Sequence, residues 1–291
     1  MALERLSNVD ELGDTATHFF KSGNIVRNKL NDNVAALKDL LPKNGPNSTN
    51  VEYDIWYDMG DNKRIHGYTY TDMMSKFILI RIAGKYWSDK QMADACQSEI
   101  TEEGLKIYND IKNNSVDKYR LRKNRKTHDF VIFLPGTNIL YDACDFGKLH
   151  RAVKQGAKLK CHPITANWAV TKLKQEFGAD NILDKKLSGH QLLEDASIVG
   201  ACDNSEMGLI AVAKGKKVYL FGNANNNYTY SSLYKAVFKD GEDREDNLKR
   251  LFSSKTSGII PVNAENPQEY VDLFFEKFKE FEHVKPKNSN S

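Results

Sequence analysis

From residue 129 onward, short apolar runs alternate with helical stretches of about ten residues, and few other features constrain a fold so tightly. DFVIFLPG (129–136) has the make-up of a buried strand ending in a Pro-Gly turn, and 146–155 has helical spacing. AKLKCHP (157–163) is strand-like, and NWAVTKLKQEF (167–177) is a helix stopped by Gly178. NILD (181–184) is a short strand, and Ser188 caps a helix in SGHQLLEDA. SIVGACD (197–203), NSEMGLIAVAKG ending at Gly215, and KKVYLFG (216–222) continue as strand, helix and strand. Strands separated by helices predict a parallel sheet covered by helices on both faces. Right-handed crossovers then bring every strand's carboxyl end to one edge, where open α/β sheets bind their ligands.

The first part of the chain is less regular. Leu30, Val34, Leu37 and Leu41 recur at helical spacing, so residues 1–41 are expected to be helical up to Pro42. PKNGPNSTN (42–50) is a loop by composition, and VEYDIWYDMG (51–60) alternates as a strand. GDNKRIHGYTYTD (60–72) reads as a second loop, and MMSKFILIRIAGKYW (73–87) is apolar enough for either strand or helix. Helical spacing returns twice in 90–111, through Met92, Cys96 and Ile100, then Leu105, Tyr108 and Ile111. These boundaries predict an N-terminal domain over 1–126, a nucleotide-binding domain over 127–265, and a C-terminal helix and tail over 266–291.

Composition excludes several classes. A hydrophobic content of 40% with 28% charged residues is ordinary for a globular chain. No run approaches the roughly 20 apolar residues of a membrane span, and the charged opening MALERLSNVDEL is unlike a signal peptide. The expected location is cytoplasm, including that of an infected host. Cys96, Cys144, Cys161 and Cys202 form no CxxC pair, which predicts buried structural thiols and neither a zinc ribbon nor a disulfide framework. Net charge is only +3, but KNNSVDKYRLRKNRK (112–126) is strongly basic. Within it Lys118, Arg120, Arg122, Lys123, Arg125 and Lys126 suit either a solvated linker or a strip that contacts phosphates.

The carboxyl-end edge can be read from the sequence. Gly136, Thr137 and Asn138 follow the first strand, His162 and Pro163 the second, and Asp203, Asn204, Ser205 and Glu206 the fourth. Gly222 closes the fifth. Where strand passes into helix at DNSEMG, the first-turn N–H groups and helix dipole suit a diphosphate, with the Ser205 hydroxyl as a further donor. Glu206 could meet a ribose hydroxyl or simply favour the helix start, and Ser205 could equally be a plain cap. His162, set by Pro163 away from helical geometry, could donate to a phosphate oxygen or be a loop histidine bonded to a nearby carbonyl; Lys160 shares its strand face and could assist or be merely solvated.

In order, KCHP, an amphipathic helix and LLEDASIVGACDNSEMGLIAVAKGKKVYLFG resemble the donor half of GT-B glycosyltransferases, most of all the capsule-polysaccharide and Kdo-transferase type. The resemblance spans about 130–222. It implies two Rossmann-like domains facing a cleft, with the N-terminal one reduced, and a C-terminal helix crossing back to the first domain. It implies that His162, Asn204, Ser205 and the region of Gly222 hold the phosphates of a nucleotide-sugar; Gly136, Thr137, Lys160 and Glu206, read from the sheet edge, are expected to line the same donor site. Asn204 stands where a second Ser is common in that group. No obligatory metal is implied, and no DxD motif occurs.

Such a transferase needs a base for the acceptor hydroxyl. Asp58, at a strand end, is the first expectation, with His66 and Asp72 next. A UDP-sugar is the expected donor. The basic strip at the domain boundary points to duplex DNA as acceptor, as in phage enzymes that glycosylate hydroxymethylated bases; Trp56, Tyr57, Tyr68 and Tyr70 could stack there. A capsule or surface-glycan acceptor, and a nucleotide-binding protein without transfer activity, are the alternatives.

Overall fold

The computed structural model describes residues 37, 39–41, 68–74, 76–82, 85–114, 121–123, 126–137, 139–202, 205–222 and 230–282. In chain order, β1 (Tyr68–Met73) and β2 (Phe77–Ile82) form a hairpin, followed by α1 (Lys85–Ala95) and α2 (Glu102–Asn114). The alternating half then supplies β3 (Phe130–Phe133), α3 (Leu140–Ala143), α4 (Phe146–Lys154), β4 (Lys158–Lys160), α5 (Asn167–Phe177) and β5 (Ile182–Leu183). It continues with α6 (Gly189–Asp195), β6 (Ile198–Ala201), α7 (Glu206–Ala213) and β7 (Lys217–Leu220). Helices α8 (Ser231–Val237) and α9 (Arg244–Ser253), strand β8 (Ile259–Pro261) and helix α10 (Pro267–Glu282) complete the described chain.

These residues divide between two compact units. One draws on Asp117–Ala211 and Lys216–Asn226, the other on Leu30–Val116, Val212–Gly215 and Asn227–Ser291. The α/β class and the Rossmann-like parallel sheet are as the alternation predicts. The domain limits differ: residues 227–265, grouped by sequence with the nucleotide-binding domain, fall in the second unit. The physical reason is pairing. Strand β8 hydrogen-bonds antiparallel to β2, and Arg250 Nη1 donates to Ser98 O at 2.8 Å, so 244–261 is built into the unit of the early strands.

That second unit, expected as a reduced Rossmann-like domain, carries an antiparallel sheet in the order β1-β2-β8. β1 lies partly where a loop was expected, because Tyr68-Thr69-Tyr70-Thr71 is a run of strong strand formers. Met74, at φ 58°, turns the chain so that Met73 pairs with Phe77. On one face of β2, Ile78, Ile80 and Ile82 pack in a core with Tyr270, Phe274 and Phe278 of α10. Leu37 and Leu41 join this core; VEYDIWYDMG and most of the expected first helix lie outside the described residues. Gln91, 2% exposed, ties the unit together: its Oε1 accepts from Ile82 N–H at 2.9 Å, while its Nε2 donates to Ile80 O and Ser257 O.

In the first unit the parallel order is β5-β4-β3-β6-β7. Val131 and Ile132 of the central strand are fully buried, as continuous apolar strands in a sheet covered on both faces must be. Asp145 caps α4 by accepting from Lys148 N–H, Ser188 caps α6, and α5 ends at Gly178 with φ 86°. Gly200 in β6 is a close-packing point. A Cβ there would lie 2.6 Å from Ile132 Cγ1 and 2.7 Å from the Phe221 ring. Gly200→Ala is therefore expected to destabilise this unit by about 1–3 kcal/mol through overpacking, seen as a lower midpoint in urea unfolding; an unchanged midpoint would contradict the packing described.

Candidate functional site

The register of the parallel sheet determines which residues meet at its carboxyl-end edge. Phe133 pairs with Lys160 on one side and Ala201 on the other, and Ala201 pairs in turn with Leu220. His162, Gly136, Ser205 and Gly222 each follow within a few residues of those strand ends. β4 and β6 flank β3, so at ordinary strand spacing their ends stand about 10 Å apart. The sheet thus places His162 and Ser205 on the same edge with the Gly136–Thr137 turn between them.

Each of these turns is held by main-chain bonds. Ile164 N–H donates to His162 Nδ1 at 3.3 Å, and Thr165 N–H to His162 O at 2.9 Å. With Nδ1 accepting, the neutral ring carries its proton on Nε2, which is then a donor. Thr137 Oγ1 accepts from Ala166 N–H at 2.7 Å. Ala166 is the N-cap of α5 and has no capping side chain of its own, so Thr137 supplies the cap and joins the β3 and β4 turns. Gly136 is buried, and its carbonyl accepts from Ile139 N–H. On the far side Cys144 bridges Gly222, and Asp145 N–H donates to Phe221 O at 2.8 Å, fixing the end of β7.

At α7, Ser205 N–H donates to Cys202 O at 3.0 Å, and Ser205 Oγ accepts from Met207 N–H at 3.3 Å. Ser205 is thus a capping residue, one of the two readings of its sequence position. A hydroxyl that caps through an oxygen lone pair also carries a donor hydrogen. The first-turn amides of a helix have no intrahelical carbonyl partner, and the helix dipole makes such a position favourable to an anion. Glu206, half-buried, is an acid in the same turn.

Other expected residues are placed elsewhere. Lys160 is 3% exposed, and its ammonium donates to Cys161 O at 2.6 Å and Lys185 O at 3.0 Å. It secures the loop after β5. Sequence alone could not show this, because one acceptor lies 25 residues away. Of the basic strip, Lys118, Arg120 and Arg125 lie outside the described residues. Lys123 and Lys126 are exposed. Arg122 is stitched by its main chain to Lys186 O and Ser188 N, and its guanidinium pairs with Asp184. Asn204, Asp58 and His66 also lie outside the described residues, as do Trp56 and Tyr57; Asp72 sits in β1 opposite Ile78.

The thiols behave as structural. Burial pushes Cys161 up to about 11 and Cys96 up to about 12, and Cys144 and Cys202 are buried with their Sγ atoms 3.1 Å apart. No helix among the described residues is long and apolar enough to cross a membrane.

No family model and no curated protein matches this sequence. Among solved structures the chain is similar to Thermosulfurimonas dismutans KpsC, a beta Kdo 2,7 transferase. Identity is 16%, the TM-score is 0.43, and 74% of this chain and 81% of that chain are covered.

One residue that sequence reading passed over is Lys185, whose only signal was a basic pair directly after a strand end. Its ammonium donates to Thr165 O at 2.7 Å and Asn167 Oδ1 at 2.9 Å, bracing the turn that carries His162. Burial lowers it from 10.5 to about 8. Between those values the unfolded chain binds more protons than the folded one, so stability should rise with pH from about 8 to 10.5. Unfolding of wild type and Lys185→Met across that window should show a steeper rise for wild type; parallel curves would refute it.

Proposed function

We propose that this protein is a glycosyltransferase that takes a sugar from a nucleotide-sugar, preferentially a UDP-sugar, and attaches it to an acceptor hydroxyl. The supporting observation is the shared edge: a histidine with its donor on Nε2 follows β4, and a serine hydroxyl and the first-turn amides of α7 follow β6, on either side of β3. In the proposed reaction these groups hold the donor diphosphate and stabilise the negative charge that grows on it as the sugar–phosphate bond breaks. The Gly136 turn lets the ligand approach the backbone, and Gly222 bounds the site beyond β6. The acceptor's proton needs a base, for which Asp58, His66 and Asp72 are the proposed choices.

For the acceptor, hydroxymethylated cytosine in phage DNA is the favoured reading, with Lys123, Lys126 and the rest of the basic strip following the phosphate backbone. A capsule or surface glycan is the second reading, favoured by the pairing of Arg122 with Asp184, which reduces the charge left for phosphates.

Donor binding tests the site, and Ser205 separates capping from phosphate contact. Ser205→Ala should weaken UDP binding about tenfold, the loss of one charge-assisted hydrogen bond, with about 1 kcal/mol less stability from the lost cap. Ser205→Asp keeps the cap but sets a carboxylate against the phosphate, so it should abolish binding with stability retained. His162→Ala should also weaken binding about tenfold. Calorimetry that finds all three variants binding like wild type would remove the site. A panel of UDP- and CMP-sugars with hydroxymethylcytosine DNA, read by mass spectrometry, should show a sugar-sized increment on the nucleoside. With no increment from any donor, that acceptor is wrong.

A further inference from the structure

Beyond the donor edge, at the flank of β5, the first unit contains a cavity of about 500 Å³. Val170, Ile182 and Leu183 are its apolar lining residues, and its cations are Arg122, Lys174, Lys185 and Lys186. None of the residues assigned to the donor lines it. The local sequence explains the arrangement. Asn167, Val170 and Lys174 fall on one face of α5 by helical spacing. Residues 184–186 leave the end of β5, and Arg122 is fastened beside them by bonds to Lys186 O (2.8 Å) and from Ser188 N–H (2.7 Å).

Four cationic side chains share this cavity with the single carboxylate of Asp184, which is already paired with Arg122. The ammonium groups of Lys174 and Lys186 make no hydrogen bond or ion pair among the described residues. The Lys185 ammonium donates to two neutral oxygens. Arg122 and Lys174 are exposed, so water screens their mutual repulsion, but four cations around one opening still favour a guest with more than one negative charge. The volume is that of a site for one small molecule. The apolar lining residues suit a ring, and the cations suit a phosphate.

We propose that this cavity is a binding site for a small phosphorylated ring compound, its phosphate held chiefly by Lys174 and Lys186, with Lys185 and Arg122 beside them, and its ring against apolar lining residues among Val170, Ile182 and Leu183. The site is separate from the donor edge and does not depend on the transferase reading.

Phenyl phosphate is the simplest probe, since it has one ring and one phosphomonoester and lacks a nucleoside. Titrated into the full chain, it should bind saturably and shift the methyl NMR signals of Val170, Ile182 and Leu183. The double variant Lys174→Glu/Lys186→Glu removes two cations that anchor nothing in the fold. It should weaken phenyl phosphate at least tenfold, keep the unfolding midpoint, and leave UDP binding unchanged. Lys154→Glu, an exposed charge outside the cavity, should have no effect. The proposal is overturned if phenyl phosphate does not saturate, if its methyl shifts fall elsewhere, if UDP displaces it, or if both charge variants weaken it equally. Binding of a short DNA duplex, lost in the double variant, without any binding of phenyl phosphate would overturn it in favour of a nucleic-acid surface.

Discussion

Strand β3 has no face open to water beyond its first residue, and most of the first unit follows from that. Val131 and Ile132 at 0% exposure must be covered on both sides, and covering helices require crossovers between parallel neighbours. Parallel neighbours in register bring the ends of β4, β3, β6 and β7 to one edge. The chain leaves each strand there as a turn. The apolar demand of one strand therefore decides where the polar residues gather. Gly200 shows how tight the arrangement is, since the Ile132 and Phe221 side chains occupy the space a Cβ would need.

The turns at the edge hold one another. Thr137 from the β3 turn caps α5 through Ala166 N–H, and Lys185 from the β5 turn bonds Thr165 O beside it. Cys144 bridges Gly222 and Asp145 bonds Phe221 on the opposite side. Such cross-bracing preorganises a loop-built site, which otherwise would have to be ordered at the expense of binding. It also shows why Lys160 is a brace and not a ligand contact: with 3% exposure, its ammonium already serves two carbonyls.

Local signals explain what could be read in advance. Helix α5 was legible end to end because its apolar spacing is uninterrupted and Gly178 adopts the positive φ that stops it. The same holds for the Ser188 cap and for the order of strands and helices in 129–222. The residues of β1 look like a loop in sequence because polar residues and a glycine precede them, although Tyr68 to Thr71 are strand formers that need only β2 as a partner. The assignment of 227–265 failed for a non-local reason, since β8 pairs with β2 some 180 residues earlier. His162 and Ser205 were legible as edge residues from topology. The basic cavity was not, because Arg122, Lys174 and Lys186 come from three separate segments that only the fold assembles.

The central claim is that the α7 amino terminus and the His162 turn together grip a diphosphate. Amide NMR with UDP tests this most directly. Addition of UDP should shift the backbone amides of Glu206, Met207 and Gly208 together with the His162 ring signals, saturating along one binding curve. Shifts confined to other strands, or a helix start and imidazole that respond at different concentrations, would contradict it.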